Sequence, residues 1–132
     1  MIAEYHIAVL TETLGQHFSA NALKQIIDAN LGQDSGRTQF QMHVHFDNCA
    51  FAEGRAYVEQ QHALIAGAED PTLMRAALGR LTHAVQDFYS HSNYVDLWLE
   101  ANGGFANARP EDMDGLDPAL FNHPNLTSGY FY

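Results

Sequence analysis

The chain has 132 residues and a formal charge of −10, from 16 acidic and 6 basic residues. This length suits one compact domain with one hydrophobic core. The scarcity of Lys and Arg leaves no basic patch to neutralise a phosphate backbone, which excludes duplex nucleic acid as an expected partner. Cys49 is the only cysteine, which excludes an intrachain disulfide and a cysteine-based zinc site. Any metal must therefore be bound by His, Asp and Glu, and the chain has eight histidines.

The first predicted helix covers residues 3–17, where Ile7, Leu10 and Leu14 recur at helical spacing. Its stretch MIAEYHIAVLTETLG has no basic leader and does not have the pattern of a signal peptide. No apolar run approaches the ~20 residues of a membrane span, so we expect no transmembrane segment. A complete chain would then be cytoplasmic, whereas a processed fragment would be secreted.

Ser19 is the predicted N-cap of a second helix over residues 20–31. Residues 32–46 are predicted to be irregular, with a turn cluster at GQDSG. Asp47 or Asn48 then caps a long helix that extends to about Gly67.

Asp70 as N-cap and Pro71 at the first position begin a last helix, which the pattern extends towards Glu100. The chain is loop-like after NGG at residues 102–104. The sequence contains no convincing strand pair, repeat or linker. We therefore predict a single all-α domain over residues 1–132, with about four to five helices. Its oligomeric state, and whether it is a whole protein or an N-terminal piece of a longer one, are left open.

The last predicted helix places His83, Asp87 and His91 four residues apart. At 100° per residue, their side chains fall within about 80° of one another on one helix face. Two imidazoles and a carboxylate aligned in this way suit a divalent metal such as zinc. The alternative is a polar helix edge, where His and Asp satisfy each other by an internal hydrogen bond.

Other residues differ in how strongly their context indicates a metal. His6 lies among apolar residues of the first helix, where a buried imidazole needs a partner. Asp34 lies in the turn cluster, where a cap or turn role is the simplest explanation. We expect His17 at the surface and His123 in the C-terminal loop.

Two motifs resemble metal sites of other folds, and we reject both matches. HVHFDN at residues 43–48 has the His-x-His-x-Asp start of the metallo-β-lactamase motif, but the final His is replaced by Asn48 and no strands are predicted. Glu59 and His62 form the Glu-x-x-His of a di-iron bundle, which needs a second copy on another helix. We therefore expect Glu59 and His62 to be a surface pair.

The order of several motifs resembles the zinc-dependent phospholipase C and single-strand nuclease superfamily, in particular its Het-C-like (heterokaryon incompatibility C) branch. The most specific segment is LGRLTHAVQDFYSHSNYVDLW at residues 78–98, where His-x-x-x-Asp is followed by an aromatic residue and HSN. Upstream of it, HIAVLTETLG, NLGQDS and HFDN occur in the same order as in that family. TSGYF near the C-terminus is also Het-C-like, so the resemblance covers most of the chain.

The resemblance implies an all-α, zinc-dependent phospholipase C-like fold, with up to three zinc ions in a cleft between helices. The ligands of one zinc would be Asp34, His45, His83 and Asp87. His6 and Asp87 would share a second zinc, with Asp87 as the bridge, and His91 would belong to a third.

The third position is the least complete of the three. In the secreted phospholipases the N-terminal residue binds zinc from well upstream of the first His, but Met1 lies only five residues before His6 and is not expected to match. No His and Glu clearly complete a third site, for which the candidates are Asp96, Glu100 and His123. We therefore expect one or two well-formed zinc positions.

The chemistry that the resemblance implies is hydrolysis of a phosphodiester by a metal-activated water, with Asp87 as the catalytic, bridging carboxylate. The substrate would be a phosphoester, with phospholipid as one candidate class, and the choice between lipid and nucleotide stays open. The alternative is a non-catalytic Het-C-like helical domain. It would keep a structural metal and act in recognition, or as part of a larger incompatibility or toxin-like protein.

Overall fold

A computed structural model describes residues 1–130, and within them the fold is all-α, as predicted. Five helices are longer than one turn and two have a single turn. They are α1 (Ala3–Leu14), α2 (Ala20–Leu31), α3 (Met42–His45), α4 (Phe51–Gly67), α5 (Pro71–His91), α6 (Tyr94–Ala101) and α7 (Pro118–Phe121). Single 3-10 turns lie at Gly32–Asp34, Thr38–Phe40, Asp47–Cys49 and Pro110–Asp112. None of the helices described has both the length and the apolar character needed to cross a bilayer.

The predicted starts of α2 and α5 are confirmed. The Ser19 hydroxyl accepts a hydrogen bond from the Ala22 N–H at 3.2 Å. The Asp70 carboxylate accepts one from the Thr72 N–H at 2.8 Å, and Pro71 is the first residue of α5. Both caps satisfy backbone donors that a helix N-terminus leaves without intrahelical partners.

The start of α4 differs from the prediction. Phe46 and Asn48 have left-handed φ values of 53° and 50°, so the chain turns sharply before the helix begins. Neither Asp47 nor Asn48 caps α4, which begins at Phe51 without a side-chain cap. The Asp47 side chain is instead buried against α5, where it contacts His91.

The prediction of one helix from residue 71 towards residue 100 is wrong, because α5 ends at His91. Ser92 has an extended conformation, with φ −104° and ψ 167°, and forms a β-bridge with Ser128. The backbone N–H of Asn93 donates to the carbonyl oxygen of Thr127 at 3.1 Å. The C-terminal tail thus takes over hydrogen bonds that would have continued the helix.

The long helix α5 is central and packs against both α2 and α4. The contact with α2 is close at Gly79, where an added Cβ would lie 2.4 Å from the Ile26 carbonyl oxygen. The main core cluster consists of Phe46, Ala84, Phe88, Tyr94, Leu97 and Leu120. Polar residues of α5 are buried on its side towards α1 and α2, and they form the candidate site.

Candidate metal centre

Four side chains converge from three parts of the fold. Ligand atoms of Asp34, His45, His83 and Asp87 all lie within 4.8 Å of one another. Asp87 Oδ2 is 2.8 Å from His45 Nδ1 and 2.9 Å from His83 Nε2. Asp34 Oδ1 is 3.3 Å from the same His83 nitrogen. This group is the set that the resemblance implies for one zinc.

The elements that carry these residues explain their proximity. His83 and Asp87 lie one turn apart on α5, so they share a face. His45 ends the one-turn helix α3, and Asp34 lies in the 3-10 turn that follows α2. Three of the four side chains are buried, whereas Asp34 is 44% exposed. Asp34 therefore marks the side of the group that is open to solvent.

His6 from α1 approaches the other oxygen of the Asp87 carboxylate. Its Nε2 is 3.4 Å from Asp87 Oδ1 and 4.0 Å from Asp34 Oδ2. His6 Nε2 and Asp87 Oδ1 are both buried, and neither makes a hydrogen bond in the protein. An unsatisfied buried polar atom costs about 1–3 kcal/mol. Two such atoms facing each other fit a bound cation, which both would coordinate.

Each histidine around Asp87 has its outer ring nitrogen held by an oxygen atom. The pairs are His6 Nδ1 with Gln86 Oε1 at 2.5 Å, His83 Nδ1 with Asn30 Oδ1 at 3.3 Å, and His45 Nε2 with the Thr38 carbonyl oxygen at 3.0 Å. Amide and carbonyl oxygens only accept hydrogen bonds, so these outer nitrogens carry the protons. The inner nitrogens face the centre, and once they have given up any second proton they can supply lone pairs. Histidines that bind metals are oriented in this way.

The ionised forms of His83, Asp87 and Asp34 stabilise one another in the absence of a bound cation. Burial lowers the pKa of His83, but hydrogen bonds with Asp34 and Asp87 outweigh burial and raise that pKa to about 9. Burial raises the pKa of Asp87, but the adjacent imidazoles of His45, His6 and His83 hold it far below its usual range. Asp34 is affected in the same way by His83, and its pKa is also lowered. Asp87 is therefore an anion at neutral pH and suits a cation.

His91 lies next to this group rather than within the set of four. Its Nδ1 is 2.8 Å from Asp47 Oδ1, and its Nε2 is 3.6 Å from Asp87 Oδ1. The Met1 nitrogen, which the sequence did not place near the site, is 2.9 Å from His91 Nε2 and 3.5 Å from Asp87 Oδ1. His91 thus approaches the same Asp87 oxygen as His6.

The candidates for a third position do not join the cluster. Asp96 and Glu100 are exposed on α6. His123 lies in the tail, where its Nδ1 accepts a hydrogen bond from the Asn125 N–H at 3.0 Å. Across residues 1–130, only the set around Asp87 brings three or more metal-ligating side chains together.

The residues predicted to be at the surface are found there. His17 and His62 are both exposed. Glu59 is exposed as well, but its carboxylate pairs with Arg55 at 3.0 Å.

A pocket of about 360 Å³ lies away from the candidate metal ligands. Phe46 and Phe88 line it, and they are the sequence neighbours of His45 and Asp87. Because those aromatic side chains belong to the core cluster rather than to the polar group, this pocket is not the cleft of the candidate centre.

Comparison with known proteins identifies the family. The sequence profile of the VWA7 N-terminal domain matches residues 3–102. The chain belongs to the VWA7 N-terminal domain family. Similar proteins are the von Willebrand factor A domain-containing protein 7 of rat, at 34% identity, and of mouse, at 38%. Each alignment covers 83% of this chain and 15% of the relative.

The human protein of the same name is 41% identical over 58% of this chain and 9% of its own length. The chain thus spans about a seventh or less of the length of these relatives. No solved structure matches it.

All six predicted metal ligands lie within the match to the VWA7 N-terminal domain, between His6 and His91. The tail beyond residue 102 lies outside that match. It nevertheless contacts the site's scaffold, because the Gly129 N–H donates to the carbonyl oxygen of His91 at 3.1 Å.

Proposed function

We propose that this VWA7 N-terminal domain is a zinc-dependent phosphodiester hydrolase with a phospholipase C-like fold, related to the Het-C-like branch. One observation carries the proposal: His6 Nε2 and Asp87 Oδ1 are buried, lie 3.4 Å apart and make no hydrogen bond, although the Met1 ammonium lies 3.5 Å from Asp87 Oδ1. Asp87 also belongs to the group of four residues whose ligand atoms lie within 4.8 Å of one another, so three further residues converge on it. A purely structural His–Asp network would leave no reason for two facing polar atoms to stay unsatisfied.

The donor set favours zinc as the ion. It combines imidazole nitrogens with carboxylate oxygens, a mixture that suits zinc better than the all-oxygen sites of calcium or magnesium. Neighbouring donors of the four-residue group are 2.8–3.6 Å apart. Ligands at the corners of a zinc tetrahedron with bonds of about 2.0–2.1 Å are separated by about 3.3 Å.

Zinc ions bound here would lower the pKa of a water molecule and withdraw charge from phosphoryl oxygens. The chain's own side chains would hold the metal ions and orient them. Asp87 presents Oδ2 to His45 and His83 and presents Oδ1 to His6, so a single carboxylate can serve two positions. Burial of these residues excludes bulk water from the inner side. Asp34, on the exposed side, lies where a phosphoester and its attacking water would enter.

The acidic composition is compatible with a phosphoester substrate only if cations supply the positive charge. A small phosphodiester or a phospholipid head group needs that charge at one point. A duplex needs it over a wide surface, which six Lys and Arg residues do not provide. We therefore propose a small phosphoester or phospholipid as the substrate.

One observation favours a second candidate, a non-catalytic domain with a structural metal. His6 and His83 are 0% exposed and Asp87 is 1% exposed, so most of the centre is closed to a substrate. Structural zinc sites are closed, and catalytic ones keep an open position. In this alternative the domain would serve recognition within a longer polypeptide, such as the relatives that carry a von Willebrand factor A domain by name.

Metal analysis followed by an activity assay separates these functions. Protein purified without chelator should contain at least one zinc per chain, and both His83→Ala and Asp87→Asn should lose it. His62→Ala, at an exposed position of α4, is the matched control and should keep it. Hydrolysis of bis(p-nitrophenyl) phosphate or of phosphatidylcholine vesicles should then be abolished by chelator and by Asp87→Asn.

The metal analysis decides whether a metal centre exists, and the activity assay decides whether that centre is catalytic. A protein without metal, whose melting temperature does not respond to added zinc, would contradict both functions. Bound zinc without turnover of lipid or nucleotide diesters would select the structural alternative.

A further inference from the structure

His91 and Asp47 form a carboxylate–histidine pair beside the candidate centre. Asp47 is 2% exposed, and its Oδ1 is 2.8 Å from His91 Nδ1. The carbonyl oxygen of His45 lies 3.2 Å from the same nitrogen. Two acceptors therefore hold Nδ1 in its protonated form, so Nε2 carries a lone pair, which faces the Met1 ammonium at 2.9 Å.

The direction of His91 Nε2 decides which metal position of the candidate centre this nitrogen can join. It lies 3.6 Å from Asp87 Oδ1, the oxygen that is also 3.4 Å from His6 Nε2. Both distances fit the ~3.3 Å separation of neighbouring ligands on one zinc tetrahedron. Neither Asp96 nor Glu100, which are exposed on α6, approaches His91 to build a separate site.

We infer that His91 Nε2 completes the metal position shared by His6 and Asp87, instead of belonging to a third position, and that Asp47 is the positioning residue that orients His91. This inference rests on the proposed metal centre but assigns one of its ligands differently from the family pattern. The second position would then have His6, His91 and Asp87 as side-chain ligands.

The fold holds Asp47 firmly in the required place. Phe46 and Asn48, on either side of it, have left-handed φ values, which Asn adopts readily but Phe only where the surrounding structure maintains it. The Phe46 ring packs on Gly54, where a Cβ would lie 2.5 Å from the ring. The Asn48 N–H donates to the Gly129 carbonyl at 2.7 Å, and the Gly129 N–H donates to the His91 carbonyl at 3.1 Å. One tail residue thus ties the Asp47 turn to the end of α5.

The test counts zinc ions and follows their affinities in the whole chain, by equilibrium dialysis with elemental analysis and by Co²⁺ absorption spectra. Wild type should bind two ions per chain. His91→Ala should bind one, with the remaining ion still sensitive to His83→Ala. His62→Ala is the matched control and should bind two.

Asp47 is tested with a conservative pair of variants. Asp47→Ala should weaken the second ion by about 10- to 100-fold and change its Co²⁺ spectrum. Asp47→Asn keeps an oxygen that can accept from His91 Nδ1, so it should restore most of the affinity. Circular dichroism of each variant checks that the helical fold is retained.

Several results would overturn the inference. His91→Ala or Asp47→Ala with both ions at wild-type affinity would do so. A second such result is loss of the second ion when two residues are added before Met1, together with retention of that ion in His91→Ala. The ligand would then be the Met1 nitrogen and not His91. A wild type with a single ion that depends on His83 would overturn this inference and leave the proposed metal centre standing. A wild type with no ion would contradict the proposed centre itself.

Discussion

Asn30 on α2 and Gln86 on α5 are joined by a buried hydrogen bond of 3.0 Å, from Asn30 Nδ2 to Gln86 Oε1. Each of the two amides also holds one histidine of the candidate centre. Asn30 Oδ1 accepts from His83 Nδ1, and Gln86 Oε1 accepts from His6 Nδ1. One pair of amides therefore fixes the orientation of imidazoles that come from two different helices.

Replacing Gln86 by Leu should weaken metal binding without leaving a cavity in the core. Leu keeps a similar volume but removes the acceptor of His6 Nδ1, so the imidazole loses its fixed orientation. Loss of such an outer hydrogen bond typically costs 10- to 100-fold in metal affinity, and we expect that loss for zinc measured by competition with a chromophoric chelator. Gln60→Leu, at an exposed position of α4, is the control and should bind as wild type. Equal affinities for both variants would contradict the role of Gln86.

Zinc binding should release a proton near neutral pH. The pKa of His83 is raised to about 9 by Asp34 and Asp87, so the imidazole is charged at pH 7 and must lose its proton to a metal. The zinc affinity should therefore rise by up to about tenfold per pH unit between pH 7 and 9, then level off. Calorimetry in buffers of different ionisation enthalpy would measure the released proton. An affinity that does not change over this range would contradict the ion pair.

The same pKa predicts the stability of the chain without metal. A folded-state pKa above the unfolded value of about 6.5 contributes stability that is fully present below pH 6.5. That contribution should be lost as the pH rises through 9, where His83 becomes neutral beside Asp87. Urea denaturation in the presence of chelator at pH 6 and pH 9.5 would measure the difference. The contribution of His83 is the difference in unfolding free energy between the wild type and His83→Gln. An equal difference at both pH values would contradict the raised pKa of His83.

Gly79→Ala should destabilise the fold, because α5 and α2 touch at this position. The new Cβ would lie 2.4 Å from the Ile26 carbonyl oxygen, which is backbone and cannot turn away. Overpacking of this kind costs about 1–3 kcal/mol in the free energy of unfolding. Gly67→Ala is the matched control, since a Cβ there meets nothing within 4 Å and Ala favours a helix. A Gly79→Ala midpoint in urea at or above that of Gly67→Ala would contradict the close contact.

Most of the longer helices, and the placement of His83 and Asp87 on one helix face, could be predicted because both depend on local pattern. The caps at Ser19 and Asp70 follow from side chains that bind backbone two or three residues away. His83 and Asp87 share a helix face through their spacing alone. Asp34 and His45 came from the family resemblance, and the structure brings both to the same point.

The supporting residues could not be predicted because their roles depend on distant contacts. Asn30 and Gln86 are 56 positions apart in the chain, and neither belongs to a recognised motif. The sequence predicts Asp47 as a candidate helix cap, yet the left-handed turn at Phe46 buries its side chain against His91. Local sequence does not predict the end of α5, because the tail around Ser128 that ends it lies 36 residues beyond Ser92. A buried polar residue on an apolar helix face was the one signal available for Gln86.

Asn93→Ala should release the C-terminal tail from the α5–α6 junction. The Asn93 side chain donates to the Asn125 carbonyl at 2.9 Å and accepts from the Thr127 N–H at 2.8 Å, and Ala removes both hydrogen bonds. Because these bonds are exposed to solvent, the cost should be only about 1 kcal/mol. Amide hydrogen exchange around residues 125–129 should accelerate, while exchange within α2 and the middle of α5 stays close to wild type. Asn102→Ala, which loses one bond to its own helix, is the control and should leave the tail protected. Unchanged protection of the tail in Asn93→Ala would show that the β-bridge at Ser128 and the backbone hydrogen bonds of Thr127 and Gly129 are enough to hold it.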